Sequence, residues 1–181
     1  VQSNFAESEC SVMLGVPLIF ENMHRKVWKQ AEKSGALSKL QRGIALSKKM
    51  KFQNHPRATR KMFQTIHKLF GKNHYMFIAG GAAIDPAVID DFEAMGFPMF
   101  QGYGMTECSP IIAMNSDRYR KSAAAGKPLP GTEVRIVDEN EDGIGEIIAK
   151  GPSVMQGYYK DPERTAEAID SDGWYHTGDL G

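Results

Sequence analysis

The apolar positions of this chain change rhythm twice. Up to about residue 71 they recur every three or four places. Leu37, Leu40, Ile44 and the run Leu46 to Met50 keep a roughly helical period, and Phe63, Ile66, Leu69 and Phe70 repeat it after Pro56. The spacing predicts three helices, about 17–33, 36–51 and 57–71. From His74 to Phe100 the pattern becomes strand, helix, strand. His74 to Ala79 reads as a strand. Asp85 is placed to cap a helix, and Pro86 stands at its first position, where the missing N–H costs nothing. Ile84, Val88, Ile89, Phe92 and Met95 hold the helical period, Gly96 supplies the stop, and Phe97 to Phe100 is a second strand. Past residue 114 Gly and Pro punctuation takes over. Thr132 to Val137 and Gly145 to Lys150 read as strands joined by an acidic turn, Asp138 to Gly143. Asp161-Pro162 opens a short helix with Asp161 as its cap. The pattern predicts an α/β class: a parallel-sheet lobe over residues 1–116, then a β-rich, partly barrel-like lobe over 117–181.

Parallel strands joined by a helical crossover bring their carboxyl ends to one sheet edge, and ligands of open α/β sheets bind outside that edge. Two glycine-rich segments fall there. Gly80-Gly81-Ala82 follows the first strand, and Gln101-Gly102-Tyr103-Gly104-Met105-Thr106-Glu107 follows the second. Gly102 and Gly104 let backbone approach a ligand closely. Tyr103 offers a flat face to a base, Thr106 a neutral hydroxyl to a phosphate oxygen, and Glu107 a hard oxygen suited to Mg²⁺. The plain alternative is a tight strand-to-helix turn that needs glycine for positive φ.

The string Gln101 to Glu107 resembles a core motif of the acyl-adenylate-forming (AMP-binding) superfamily, which includes acyl-CoA synthetases, luciferases and peptide-synthetase adenylation domains. Ala79-Gly80-Gly81-Ala82 resembles that family's adenine-side turn, and Gly126 to Val134 its entry into a β-rich subdomain. Gly145 to Pro152 and Gly157 to Pro162 resemble the next block, and Gly173-Trp174-Tyr175-His176-Thr177-Gly178-Asp179 the ribose-binding block. Val16 to Glu21 and the basic helical stretch after it look most like the long-chain fatty-acid branch. The fold so implied is part of the large N-terminal domain of an adenylate-forming enzyme. Ser122 to Gly126 departs from the family's usual Gly-Ser-Val-Gly approach.

The resemblance implies a two-step reaction on a carboxylic acid, most simply a fatty acid. The carboxylate attacks ATP to give acyl-AMP and pyrophosphate, and a thiol, usually that of CoA, then takes the acyl group. Carried over residue by residue, Gly80, Gly81 and Ala82 border the adenine, and Tyr103 lies against its face with Gln101 and Gly102 nearby. Gly104 shapes the loop, Thr106 contacts the α-phosphate, Glu107 binds Mg²⁺, and Asp179 accepts from the ribose hydroxyls. His176 is read as structural. The family's phosphate loop and catalytic-lysine lobe are expected in missing N- and C-terminal parts of a parent chain, and Lys150 and Lys160 do not match that lysine motif. Another adenylate-former, such as an acyl-carrier-protein ligase or an aryl or short-chain acid ligase, would show the same blocks.

Charge and cysteines adjust this picture. The 181 residues carry zero formal net charge, yet residues 24–72 hold 14 of the 22 Lys and Arg against one acid, Glu32, a net +13. Such a segment can meet anionic lipid or the phosphates of CoA, or be the solvated face of amphipathic helices. A basic membrane- or nucleic-acid-binding module on a vestigial nucleotide fold is the competing class. Nucleic acid is not expected, because aromatics do not alternate with the basic residues. Cys10 and Cys108 have no metal-like spacing and suggest a reducing compartment. No base lies near Cys108 in sequence to make it a catalytic thiol. No apolar run nears the ~20 residues of a membrane span. The expectation is a cytoplasmic protein, with peripheral membrane contact through the basic segment as an option. The 181-residue chain alone is expected to be inactive. With ATP, Mg²⁺ and a panel of fatty acids, pyrophosphate release should stay at background, and turnover above background would overturn the expectation.

Overall fold

Strand β2 (Met76–Ala79) lies between two parallel neighbours, β1 (Val12–Gly15) and β3 (Met99–Tyr103). Val12 stands opposite Met76 and Gly15 opposite Ala79, while Phe77 faces Met99 and Ala79 faces Gln101. The computed structural model describes residues 9–51, 55–71 and 73–181. The chain divides into two compact units: the first runs to Gln101 and includes Asn115–Ala125, and the second holds Gly102–Met114 and Gly126–Gly181.

Four helices connect β1 to β2: α1 (Pro17–Lys33), α2 (Leu37–Lys49), α3 (Pro56–Met62) and α4 (Gln64–Leu69). A single helix, α5 (Pro86–Ala94), connects β2 to β3. Phe20, Met23 and Val27 on α1, and Leu40 and Ile44 on α2, recur at three- and four-residue spacing and are all buried. They cover the sheet, and the core converges on Phe77. Its ring centroid lies 5.4 Å from Phe20, 5.6 Å from Phe70, 5.1 Å from Phe92 and 5.5 Å from Phe97. Three of these four pairs meet edge to face, an arrangement worth about 0.5–1.5 kcal/mol per pair beyond burial. Polar ties finish the packing. Lys48 Nζ sits 2.7 Å and His24 Nε2 2.8 Å from the carboxylate of Asp91 on α5. Burial pushes that carboxyl up, but the hydrogen bonds from His24 and Lys48 outweigh it and hold the group below its ordinary value.

The local signals read from the sequence hold. Asp85 Oδ1 accepts the N–H of Ala87 at 2.8 Å, and Asp161 Oδ1 that of Arg164 at 3.0 Å. Three expectations need correction. The helix expected over 57–71 is two helices, because Phe63 (φ −106, ψ 30) leaves the helical region to lay its ring on Gly43 of α2. A strand not expected, β1, precedes Pro17. The second strand does not end at Phe100 but continues through Tyr103, because Gly102 and Tyr103 pair with Met114 and Ala113 of β4 (Ala113–Met114).

In the second unit β4 also pairs with β5 (Lys127–Pro128). A separate antiparallel sheet runs β6 (Glu133–Val137), β7 (Glu146–Lys150), β8 (Tyr175–Leu180), with helix α6 (Pro162–Ala168) before β8. The β6–β7 turn is acidic, as expected, and Asn140 Oδ1 organises it by accepting from Asp142 N and Ile144 N at 3.0 Å each. Cys108, Ile112, Ala149 and Tyr175 form the buried centre of this unit. On β7 and β8 Glu146 reads the backbone and the side chain of its neighbour at once. Oε2 lies 2.9 Å from His176 Nδ1, and Oε1 accepts the N–H of Gly178 at 2.9 Å. The Glu146 hydrogen bond holds His176 above its ordinary value of 6.5, and the same bond holds Glu146 below 4.5.

Two outcomes follow. Gly96 ends α5 at φ +88, and a Cβ there would lie 2.6 Å from Thr59 Oγ1. Gly96→Ala should therefore cost roughly 1–3 kcal/mol for left-handed backbone, plus the displacement of a fully buried threonine, read as a lowered denaturant midpoint. The second concerns pH. A raised His176 stabilises fully below 6.5 and loses that contribution as pH climbs through its folded value; a depressed Glu146 stabilises above 4.5 and loses it as pH falls. Thermal stability should thus peak between these values and decline above neutrality. His176→Gln should flatten the alkaline side of that profile, and an unchanged profile would show that the pair contributes nothing.

Candidate active site

The carboxyl ends of β2 and β3 set the first group of candidate residues. Gly80 donates its N–H to the Gly15 carbonyl at 3.1 Å, which extends the β1–β2 pairing by one step. Gly81 then turns at φ +87, a left-handed conformation that glycine adopts without strain, and the turn leaves Gly81 and Ala82 exposed. Gln101, opposite Ala79, is buried. Its side-chain amide donates to the carbonyls of Ser122 and Ala124 at 2.8 and 2.9 Å. Asn115 completes the knot, donating to Ala124 O at 2.8 Å and accepting from Lys121 N at 3.0 Å. The Gln101 side chain therefore holds the 115–125 segment in place, and this is where the chain departs from the family's usual sequence.

In the second unit the structure joins two residues far apart in the chain. The hydroxyl of Tyr103 donates to Asp179 Oδ2 at 2.8 Å, across 76 positions. Burial pushes the Tyr103 phenol up to about 12; a hydrogen bond with Thr177 pulls the other way, and the Asp179 carboxylate adds to the rise. Asp179 itself is exposed, and its backbone is fixed from below. The Thr177 hydroxyl donates to Ile147 O at 2.7 Å and accepts the N–H of Asp179 at 3.1 Å. Gly178, at φ +72, sits between them with its N–H on Glu146.

Thr106 and Glu107 occupy a single 3-10 turn, Thr106–Cys108, that follows β3. Gly104 before it has no room for a side chain, because a Cβ would run into the Pro110 carbonyl and lie 2.8 Å from Ile111 Cα. Its glycine requirement is set by close approach of the chain to itself. Thr106 is exposed. Glu107 is half-buried: Oε1 accepts the Tyr158 hydroxyl at 3.0 Å, and its carbonyl accepts Met155 N at 2.7 Å. Tyr175 nearby has its phenol pushed up, by burial first, then by its hydrogen bond with Tyr158 and the charge of Glu107. Cys108 is buried, and burial together with Glu107 raises its thiol. Both effects oppose the thiolate a catalytic cysteine needs. Among the described residues no cluster of three His, Cys, Asp or Glu is placed to hold a metal.

Three contributors escaped the sequence reading: Tyr158, which orients Glu107, and Thr177 and Glu146, which fix the Asp179 loop. All three lie in blocks already singled out, yet nothing in their spacing marks which side chain turns inward. Position next to a candidate carboxylate was the available signal.

Residues 2–159 match the family model described as AMP-binding enzyme. The chain is 34% identical over 179 residues to rat long-chain-fatty-acid–CoA ligase 6, covering 92% of this chain and 25% of that protein. It is 34% identical over 193 residues to human long-chain-fatty-acid–CoA ligase ACSBG2, covering 99% and 29%. An Arabidopsis thaliana chloroplastic long-chain-fatty-acid–[acyl-carrier-protein] ligase, AEE15, is 28% identical over 93% of the chain and 29% of its own length. Among solved structures, apo MatB from Rhodopseudomonas palustris superimposes with a TM-score of 0.64 at 25% identity, covering 99% of this chain and 30% of that one. The chain thus spans between a quarter and a third of the length of these relatives. With the family model matching most of its length, the chain belongs to the AMP-binding enzyme family.

Proposed function

We propose that the chain is the nucleotide-contacting portion of an ATP-dependent long-chain fatty acid–CoA ligase. The Tyr103–Asp179 hydrogen bond carries the reading, because it sets an aromatic face beside an exposed carboxylate in a chain of the AMP-binding family. The long-chain fatty-acid names of the relatives support the acid.

The reaction has a charge problem: a carboxylate must approach a triphosphate. Positioning and electrostatic stabilisation are the means available. The acid oxygen attacks the α-phosphorus, the bond to the β-phosphate oxygen breaks, and pyrophosphate leaves with that electron pair. The CoA thiol then attacks the acyl carbon and expels AMP. Gly80, Gly81 and Ala82 border the adenine, and Tyr103 stacks on it beside the backbone of Gln101 and Gly102. Asp179 accepts from the ribose diol, and the Thr106 hydroxyl donates to an α-phosphate oxygen. A phenol raised to about 12 keeps its proton at neutral pH, so Tyr103 adds no negative charge beside the triphosphate and continues to hold one oxygen of Asp179. Glu107 fits a magnesium site, since that ion takes one or two carboxylates and completes its shell with substrate phosphates and water. Oε1 is oriented by Tyr158, and Oε2 has no hydrogen-bond partner among the described residues. Bound there, Mg²⁺ would neutralise phosphate charge. A cytoplasmic setting is supported by two free cysteines. No described helix is long and apolar enough to cross a membrane. Exposed Leu46 and Met50 beside Lys49 and Lys51 support peripheral contact with an anionic membrane.

A second reading, transfer to an acyl-carrier protein, is favoured by the likeness to AEE15. Offering the parent enzyme CoA and the carrier protein in separate assays distinguishes the two.

The site is tested by binding an acyl-adenylate analogue, and its form lacking both ribose hydroxyls, to the parent enzyme. Asp179→Ala should weaken the first by about one to two orders of magnitude and leave the second nearly unchanged, since a hydrogen bond to a charged group is worth about 1.5–3 kcal/mol. Tyr103→Ala should weaken both by the roughly 1–3 kcal/mol of a stacked base. Equal loss of both ligands in Asp179→Ala would assign that residue to holding the loop.

A further inference from the structure

The amino ends of β1 and β2 form the sheet edge opposite the glycine turns. Glu9, just before β1, and Gly71, before β2, border an open cleft of about 950 Å³ whose other wall is α3 and α4. Arg57, Arg60, Lys61 and Lys68 line it, against the single carboxylate of Glu9. That carboxylate accepts from Asn73 Nδ2 at 3.4 Å. Arg57, Lys61 and Lys68 are exposed and have no ion-pair partner among the described residues. Four cations gathered on two short helices repel one another and draw in an anion.

A second observation points the same way. His67 also lines the cleft and is 95% buried. Its ring stacks on Phe97 with centroids 4.0 Å apart, and Nε2 donates to the Met95 carbonyl at 2.8 Å. Nδ1, equally buried, has no hydrogen-bond partner among the described residues. Buried polar atoms are nearly always satisfied, so an orphan in a cationic cleft marks a place where something else binds. The other groups facing His67 are Arg60 on α3 and His74 ahead of β2.

We propose that this cleft binds a multiply charged phosphate group, held by Arg57, Lys61 and Lys68 through charge-assisted hydrogen bonds, with a proton shared between His67 Nδ1 and a phosphate oxygen. The chemistry is that of a pyrophosphate-like anion or of a polyphosphorylated lipid headgroup. Site and ligand are independent of the adenylate site, which uses the opposite sheet edge.

The 181-residue chain, labelled with ¹⁵N in its histidines, is titrated with inorganic pyrophosphate at neutral pH, with calorimetry in parallel. Expected are saturable binding, a change in the His67 Nδ1 resonance, and weakening as salt rises. The double variant Arg57→Ala/Lys61→Ala, at exposed positions, should retain the wild-type unfolding midpoint and bind about tenfold or more weakly. Sedimentation with phosphatidylcholine vesicles, with and without phosphatidylinositol bisphosphate, assigns the source. Pelleting that pyrophosphate reverses places a headgroup in the cleft, and pyrophosphate binding without pelleting places a free phosphate there. No pyrophosphate binding, no response at His67, or binding indifferent to the double variant overturns the site.

Discussion

Strand β3 has to satisfy two sets of partners within five residues. Its first part lies parallel to β2, and its last two residues pair antiparallel with β4. Met99 and Phe100 contribute buried side chains, whereas Gly102 contributes none: a Cβ there would crowd the Ala113 carbonyl at 3.3 Å. The change of partner therefore falls where the strand is thinnest. From that point the candidate residues are dealt out in order, Gln101 inward to anchor 115–125, Tyr103 to meet Asp179, then Glu107 on the following turn. A shift of one residue in the β2–β3 register would reverse these faces and disperse the set.

What could be read from the sequence was what local chemistry determines. The caps at Asp85 and Asp161 and the acidic β6–β7 turn are settled within a few residues. The break at Phe63 is not, because it answers to Gly43, twenty positions away and on another helix. Strand β1 is four residues long and carries an exposed Leu14, so it shows neither alternation nor a buried run. Strands β4 and β5 have two residues each and no pattern to find. The candidate site divides the same way. Tyr103, Thr106, Glu107 and Asp179 stand out through family motifs. The partners of Gln101 are main-chain carbonyls of Ser122 and Ala124, and a carbonyl has no letter in the sequence.

The basic segment shows how a charge count misleads when taken whole. Its +13 is not one surface. Lys48 is tied to Asp91 on α5, and Lys49 and Lys51 stand near exposed Leu46 and Met50. Arg57, Arg60, Lys61 and Lys68 gather instead around a polar cleft at the far end of the sheet. Sequence composition gives the sum, and helix geometry decides how the charges are shared among faces.

The second unit is assembled from two stretches of chain, with residues 115–125 belonging to the other. Its buried centre packs Cys108 and Ile112 against Ala149 and Tyr175. On the ribosome the first pair emerges well before the last member. At roughly 5–20 residues per second, that interval is on the order of seconds. Throughout it Ile112 and the β3–β4 pairing have no core to enter, while the first unit already has all of its strands. The nascent chain therefore passes through a state with one finished unit and one open apolar edge, and that state is where a chaperone would find it.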